Sequence, residues 1–240
     1  MRYLITVSYD GSKFYGFQKL NEKITVQGEL ERVLEVISKE KISIKGSGRT
    51  DRGVHAINQK CHFDFSLDIS PEKLMRAIND QINPYIHIKE CKIVNPDLHA
   101  RFSVVKKTYY YVINTGEKDP LINDYAYNLS QKLNIKVMKK AAKEFIGNHS
   151  LQNFVSGKRD NYDCNIEKIK FTQSNKLLYI EITGKSFYKY MVRNIVGALI
   201  YVGLNKLTIT KIHELVNDGV SSIPYSTAPA SGLYLNNVEY

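Results

Sequence analysis

The sequence has few cysteines, no long apolar run and no signal-peptide layout at its start. Its three cysteines, Cys61, Cys91 and Cys164, are odd in number, far apart and without a C-x-x-C pair. This excludes a disulfide framework and favours reduced cytosolic thiols. The longest apolar run, 196–202, is far shorter than the ~20 residues that a bilayer requires. The chain begins with a strand-like segment. We therefore expect a cytoplasmic protein with no membrane partner.

Acidic residues are also scarce relative to basic ones. The chain has 34 Lys and Arg against 24 Asp and Glu, a formal net charge of +10. Such an excess favours a polyanionic partner, nucleic acid before a membrane surface. A basic surface that only maintains solubility is the alternative that net charge leaves open. The 240 residues suit one large domain or two small ones with a substantial core.

The segment 46–56, Gly-Ser-Gly-Arg-Thr-Asp-Arg-Gly-Val-His-Ala, is the densest patch of functional side chains. It lacks the Lys-Ser/Thr pair of a phosphate-binding P-loop, because Val54 and His55 follow Gly53. It also lacks a dinucleotide fingerprint, since Asp51 occupies the position of the third glycine. Asp51 and His55 alone are too few ligands for a metal site. We therefore predict no metal and no cofactor there.

Two interpretations of this segment remain open from the residues alone. In the first, arginines on either side of Asp51 keep its carboxylate ionised and available for nucleophilic attack or proton abstraction. In the second, Asp51 caps backbone amides in a turn, and Arg49 and Arg52 are simply solvated. The nearby aromatic segment 14–18 likewise either stacks on bases or plugs the space under a loop.

The first half of the chain predicts the order strand, helix, two strands, helix, strand, which is typical of a ferredoxin-like fold. The glycine-rich segment is expected to be a loop between the two central strands. The predicted elements are strand 2–8, helix 26–37, a strand at 42–44, a strand at 59–65, a helix capped by Ser70 and ended by Asn83-Pro84, and strand 86–94.

The second half predicts another α+β unit, with no linker before it. Strand 104–113 places Tyr109 and Tyr111 on one face. In the apolar helix 187–202, burying the charge of Arg193 would cost free energy unless the charge is paired, and Asp51 is the candidate partner. The remaining elements are a helix from Asn134 with an exposed lysine stripe, a mobile basic loop 148–162, a hairpin of 166–173 and 177–183, helix 209–216 and a final strand.

Taken together, these motifs resemble the TruA family of tRNA pseudouridine synthases nearly end to end. The matching motifs, in the family's order, are Tyr9-Asp10-Gly11, Gly16-Phe17-Gln18, Val26-Gln27-Gly28, the loop 48–56, His99-Ala100-Arg101-Phe102, Tyr109 with Tyr111, the helix segment 191–197 and the segment 228–233.

The resemblance implies two ferredoxin-like units, 1–97 with the Asp51 loop and 98–240 with RNA-binding loops. They would share an extended, mostly antiparallel sheet with helices on one face and an active-site cleft between the units. The implied activity is isomerisation of uridine to pseudouridine at about positions 38 to 40 of the tRNA anticodon arm, by a homodimer without a cofactor. The alternatives are another RNA target, such as ribosomal RNA, a non-catalytic RNA-binding or chaperone module, and a metal-dependent hydrolase.

The resemblance also implies roles for individual residues. Asp51 is the expected nucleophile; attack on the sugar, attack on the ring and removal of a sugar proton all remain open. The other expected roles are Arg49 and Arg193 holding Asp51 ionised, Tyr109 packing against the base, Leu233 lining the pocket, and Arg52 or His55 filling the gap left by a flipped base.

Overall fold

The computed structural model describes residues 1–218 and 223–240 and shows an α+β fold whose strands are mostly antiparallel. Contacts divide the chain into two compact units, Met1–Val105 with Tyr234–Tyr240 and Lys106–Leu233. The predicted boundary after residue 97 therefore differs from the observed one, and the C-terminal strand returns to the first unit. It does so because its Tyr234 and Leu235 pair with strand residues of that unit. The predicted cleft between the units stays a prediction.

The strands and helices have the following bounds. The strands are β1 Arg2–Tyr9, β2 Lys45–Gly46, β3 His55–Asp64, β4 Ile86–Val94, β5 Lys106–Asn114, β6 Tyr127–Asn128, β7 Gly147–Ser150, β8 Asp163–Ser174, β9 Leu177–Gly184 and β10 Leu233–Glu239. The α-helices are α1 Val26–Ser38, α2 Pro71–Asn79, α3 Ile135–Ala141, α4 Met191–Gly203 and α5 Ile209–Asn217. None of the helices in the described parts of the chain has the length and hydrophobicity to cross a membrane.

The first unit is built on β1, which pairs antiparallel with β3 on one side and β4 on the other. On the side away from β1, β3 pairs with two further strands. It pairs antiparallel with β2, where Gly46 lies opposite Cys61, and parallel with β10, where Tyr234 lies opposite His55. With α1 and α2 this is the β-α-β-β-α-β order that the sequence predicts. The strand β3 therefore positions the catalytic candidates that precede it.

Local signals explain where both helices of this unit begin. The Thr25 hydroxyl accepts a hydrogen bond from the amide of Gly28, and the Ser70 hydroxyl accepts one from Lys73. Both residues are N-caps, as their residue types favour. The helical spacing then buries four of the five predicted apolar positions of α1, Val26, Leu30, Val33 and Leu34, and leaves the fifth, Ile37, half-buried.

Two predicted boundaries in this unit are wrong. Residues 42–44 are not a strand, because the backbone of Ile44 bonds to side chains of α1 instead of a neighbouring strand. Its amide donates to Glu31 at 3.1 Å and its carbonyl accepts from Gln27 at 3.3 Å. The helix α2 ends at Asn79 rather than near residue 83. The side-chain amide of Asn79 donates to the carbonyl of Ile88 at 2.9 Å and accepts from the backbone amide of Ile88 at 2.8 Å.

The second unit is an antiparallel sheet in the order β5, β9, β8, β7. The β8–β9 hairpin forms as predicted, with Asn175 at a positive φ of 52° in its turn. In β5, Tyr109 and Tyr111 are both buried and Tyr110 is half-buried, but burial does not alternate along the whole strand, because Thr108 and Val112 are buried as well. The helix α3 begins at the cap Asn134 as predicted, and its lysines are exposed.

Two further predictions for this unit are wrong. Residues 148–162 are not a continuous mobile loop, because β7 pairs with β8 and both Leu151 and Phe154 are fully buried. The helix α4 starts at Met191 instead of residue 187, since Tyr190 has a positive φ of 62° that interrupts helical geometry. The apolar pattern of the sequence continues through residues 187–190, although these residues are not helical.

Candidate active site

The candidate loop connects β2 to β3 and is shorter than the sequence predicts. Gly46 already belongs to β2, and both His55 and Ala56 belong to β3. The connecting segment is therefore 47–54, with Asp51 near its middle. Because both ends continue into paired strands, the loop has a fixed entry and exit.

A buried polar frame holds the start of this loop. The Ser47 amide donates to the carbonyl of Lys60 at 2.8 Å, and the Ser47 hydroxyl donates to Oε1 of Gln59 at 2.5 Å. The Gln59 side-chain amide in turn donates to the carbonyl of Gly48 at 2.9 Å. Ser47 and Gln59 are both fully buried. Since buried polar groups require partners, this set fixes the loop backbone before Asp51.

Gln59 was not among the predicted site residues, although the sequence contains a signal for it. Side chains on a strand alternate between faces, so Gln59 shares a face with Cys61 and Phe63. Both of those neighbours are fully buried. An amide side chain in line with buried residues indicates a buried hydrogen-bonding role.

The aromatic segment 14–18 supports the loop from its other side. The Phe17 amide donates to the carbonyl of Thr50 at 3.1 Å, and the Thr50 hydroxyl lies 2.8 Å from the Tyr9 hydroxyl. Gly16 has a φ of 93°, and a Cβ there would lie 2.8 Å from the Thr50 carbonyl. Phe14 and Phe17 are buried, which is the hydrophobic-plug interpretation, whereas Tyr15 is exposed.

Asp51 occupies a tight turn at the end of this frame. The Val54 amide donates to the Asp51 carbonyl at 3.1 Å, and Gly53 has a φ of 81°. Positive φ at the third turn residue is typical of a type II turn and favours glycine. The Asp51 residue is half-buried, at the rim of the protein rather than inside it.

The two neighbouring arginines do not both surround Asp51 as predicted. Arg49 is exposed, and within residues 1–218 and 223–240 it has no hydrogen bond or ion pair. Direct pairing of Arg49 with Asp51 is therefore absent from this structure. Arg52 is also exposed, and its guanidinium carbon lies 4.3 Å from the centre of the Tyr15 ring. Its position is set by an aromatic ring instead of a carboxylate.

His55 is a supporting residue rather than a group that can fill a gap in RNA. Only 2% of it is exposed. Its Nδ1 accepts a hydrogen bond from the Gly11 amide at 3.1 Å and lies 3.3 Å from Asp10, and its ring stacks on Tyr234 at 4.6 Å. A side chain held on both sides in this way stabilises the loop's exit into β3. The predicted gap-filling role of His55 is corrected accordingly.

The segment after β4 caps the outer part of β3 through two histidines. The Ala100 amide donates to Nδ1 of His62 at 3.0 Å, and the His99 ring packs edge-on against His62 at 4.7 Å. Burial, reinforced by the nearby positive charge of Arg2, lowers the pKa of His62 to about 4. The buried imidazole is therefore neutral at physiological pH. Phe102, which belongs to the same motif as His99, is 77% exposed.

The remaining predicted site residues belong to the second unit. Tyr109 is 7% exposed. Its ring packs edge-to-face against the ring of Phe187, with the ring centres 5.3 Å apart. Leu233, at the start of β10, is also buried. Just before it, a Cβ on Gly232 would lie 2.6 Å from the Tyr111 ring, so this position requires glycine.

Arg193 is half-buried near the start of α4. Its Nε donates to the carbonyl of Ala228 at 2.7 Å, and the Ala228 amide donates to the Arg193 carbonyl at 3.1 Å. Its guanidinium carbon lies 5.0 Å from the Tyr190 ring centre. These contacts tie the motif 228–233 to α4. The pairing of Arg193 with Asp51 stays a prediction.

Among residues 1–218 and 223–240, no three His, Cys, Asp or Glu side chains are grouped so that they could hold a metal ion.

Comparisons with known proteins agree with the residue pattern. The family model described as tRNA pseudouridine synthase matches residues 5–103 and 141–240. The protein named tRNA pseudouridine synthase A from Bacillus subtilis (strain 168) is 40% identical over 100% of this chain and 99% of its own length. The proteins of the same name from Mycoplasmoides gallisepticum and Thermosipho melanesiensis are 39% and 38% identical, over 99% of this chain and 90% and 98% of their own lengths.

The comparison with solved structures is much weaker. A chain of a structure titled as a Cbf5-Nop10-Gar1 complex matches 82% of this chain and 54% of its own, with a TM-score of 0.33 and 12% identity. A likeness of that size supports no conclusion.

Proposed function

This chain belongs to the tRNA pseudouridine synthase family, and on that premise we propose that it isomerises uridines at about positions 38 to 40 of the tRNA anticodon arm, with Asp51 as the nucleophile. Family membership rests on a match over most of the chain and on relatives of nearly the same length. The enzyme is accordingly an isomerase. The proposal adds the target positions and the roles of individual residues.

The observation that carries the assignment of Asp51 is the frame around it. The backbone before Asp51 is anchored by bonds of Ser47, Gln59, Thr50 and the backbone of Phe17. The backbone that presents the Asp51 carboxylate is therefore held by several neighbouring residues. A functional group held by a locked supporting shell is what catalysis requires.

The reaction makes specific demands on the site. The bond between C1′ of the ribose and N1 of uracil breaks, the base turns, and C5 bonds to the same C1′. The C5 proton leaves and N1 gains a proton, so the product is an isomer and no co-reactant is consumed. Asp51 either bonds to the sugar, bonds to the ring or removes a sugar proton; each role needs an ionised carboxylate.

The other site residues support this chemistry in different ways. Tyr109 is proposed to pack against the uracil, with Phe187 holding its ring. Leu233 lines the pocket, and Arg193 orients Asp51 from the segment that it ties to Ala228. Arg49, which is exposed and lacks a partner among the described residues, is proposed to contact the RNA rather than to hold Asp51 at rest.

The RNA surface is proposed to extend to α3. The exposed lysines there are Lys136, Lys139 and Lys140 of α3 and Lys143 of the 3-10 turn that follows it. Lysines of this kind bind backbone phosphates without reading sequence. We also propose that the enzyme is a cytoplasmic homodimer, in which one subunit grips the tRNA while the other acts on the target uridine.

Pseudouridine mapping of total RNA from cells with and without this protein tests the proposal. Loss confined to positions near 38 to 40 of tRNAs is the expected result. Intact anticodon arms with losses in ribosomal RNA would keep the chemistry and overturn the substrate. An unchanged map, together with RNA binding by the purified protein, would instead indicate a non-catalytic RNA-binding module.

A further inference from the structure

Two positively charged side chains lie against one exposed aromatic ring beside the catalytic loop. Tyr15 is 42% exposed, with the Arg52 guanidinium carbon 4.3 Å and the Lys23 ammonium 4.9 Å from its ring centre. We call these three residues the Tyr15 cluster. A guanidinium at 4.3 Å is in van der Waals contact with the ring, which is the distance range of a cation–π interaction.

Neither cation is neutralised by the protein. Across residues 1–218 and 223–240, the side chains of Arg52 and Lys23 make no ion pair or hydrogen bond, and the Tyr15 hydroxyl makes no hydrogen bond. An arginine has five N–H donors and a lysine ammonium has three. Two like charges that share one ring repel each other, and an anion placed between them removes that repulsion.

The backbone fixes the cluster next to Asp51. The Tyr15 amide donates to the carbonyl of Ile24 at 2.9 Å, which brings Lys23 beside the ring. Gly16 lies against the loop so closely that a Cβ there would be 3.2 Å from the Arg52 amide and 3.3 Å from the Asp51 carbonyl carbon. The two segments that supply the cluster are therefore held together at the residue preceding Arg52.

We propose that Tyr15, Lys23 and Arg52 form a binding site for one backbone phosphate of the RNA, adjacent to the target nucleotide. The proposal rests on the proposed function, because that function makes the ligand an RNA. Lys23 and Arg52 contact the phosphate. Tyr15 is a positioning residue that acts through Arg52. This assigns Arg52 to the RNA backbone and not to the space vacated by the flipped base.

The physical advantage of the ring is preorganisation. A stacked guanidinium keeps the N–H groups at its edge directed to solvent, and these match two phosphate oxygens at once. Holding the long arginine side chain in place before RNA arrives reduces the entropy lost on binding. A phosphate held beside Asp51 also fixes the register of the strand, which determines the nucleotide that reaches the carboxylate.

The charge contribution is tested by titrating RNA binding against salt. The probe is a short RNA hairpin copying an anticodon arm, and the proteins are wild type, Arg52→Gln and Lys23→Gln. Each variant is expected to weaken binding several-fold and to lower the log–log salt slope by part of the roughly 0.7 to 0.9 that corresponds to one lost phosphate contact, since the other cation still contacts the phosphate. If both variants keep the wild-type slope, the proposal is wrong.

A matched control separates the cluster from diffuse positive charge. Lys13 lies 5.6 Å from the ring centre of Tyr85, which is 47% exposed, in the same unit of the protein. Lys13→Gln removes the same charge from the same kind of pair and is expected to change the slope by less than half as much as Lys23→Gln. An equal effect from Lys13→Gln would overturn the assignment of a discrete site.

The role of Tyr15 is tested with two substitutions and turnover kinetics. Tyr15→Leu removes the ring and is expected to raise KM several-fold with little change in kcat. Tyr15→Phe keeps the ring, and since the hydroxyl makes no bond, its KM should return to the wild-type value. A phenylalanine variant as impaired as the leucine variant would show that stacking is not the cause.

The binding titration does not depend on turnover. If the wild-type protein binds the hairpin with a slope that needs Lys23 and Arg52 but forms no pseudouridine in any RNA, the proposed function fails and the phosphate site stands. If pseudouridine forms normally and the slopes are unchanged, the phosphate site fails alone.

Discussion

The loop that carries Asp51 and the segment that carries Arg193 are both motif-bearing, but they are held in opposite ways. In the first, the anchoring bonds described above come from Ser47, Gln59 and Thr50. In the second, the motif residue itself is the anchor, because Arg193 donates to the carbonyl of Ala228. Support and function are carried by different residues in one region and by the same residue in the other.

This difference predicts how each region tolerates substitution. Where support is separate, the functional side chain can be changed with little loss of stability, and changing the support affects activity indirectly. Where one side chain does both, activity and stability fall together. Four measurements test this difference.

The largest effect is expected for Asp51→Asn. The amide cannot act as a nucleophile, so turnover should fall by about 10³-fold or more. The melting temperature should stay within about 3 °C of the wild type, because the supporting bonds to Ser47, Gln59 and Thr50 are unchanged. Single-turnover assays and thermal melts check both parts. A folded variant that retains a tenth of the wild-type rate would remove Asp51 from the chemistry.

Arg193→Ala should lower both quantities. It removes a charged hydrogen-bond donor from Ala228, which corresponds to about 1.5–3 kcal/mol of unfolding free energy. The half-buried position and the carbonyl partner make this smaller than the loss of a buried ion pair. Arg193→Lys should retain part of each, since lysine keeps the charge without the fork. Urea unfolding and turnover measure the two effects; an alanine variant that is both stable and active would contradict the comparison.

Gln59→Leu should act on activity only through the support. It leaves the Ser47 hydroxyl and the Gly48 carbonyl without their partner, at about 1–3 kcal/mol, and loosens the backbone before Asp51. We expect a lower kcat with KM nearly unchanged. The control is Asn58→Ala, which removes a 2.8 Å bond to the Asn236 carbonyl from the same strand. If both variants lower kcat equally, general destabilisation is the cause and the separate support is refuted.

The smallest effect is a pH dependence of stability from His62. Its pKa is about 4 when folded, below the ordinary value of 6.5, because burial disfavours the charged ring. The unfolded chain therefore binds more protons between pH 6.5 and 4, so stability is complete above pH 6.5 and decreases by about 1–3 kcal/mol as the pH falls to 4.

Urea unfolding at a series of pH values measures this loss. His62→Gln keeps an acceptor for the Ala100 amide without a titrating ring, and this variant should show a flatter profile between pH 4 and 6.5. An identical slope in both proteins would assign the dependence to other groups.

Elements with a strong local pattern were predictable from the sequence. The apolar spacing of α1, the Ser70 cap of α2 and the hairpin of β8 and β9 are all present as predicted. Segments with a misleading local pattern were not. Residues 42–44 alternate like a strand but pair with α1 side chains, and 148–162 is polar but contains the buried Leu151 and Phe154.

The excess of basic charge, the glycine-bounded turn at Asp51 and the periodicity of most elements can be read from the sequence, because they depend on neighbours along the chain. The distant group that satisfies each polar side chain becomes known only from the folded chain. Gln59 holds Gly48, Tyr15 lies under Arg52, and Arg193 bonds to Ala228. Periodicity encodes whether a side chain is buried, but a hydrogen-bond or stacking partner is selected by how separate elements pack.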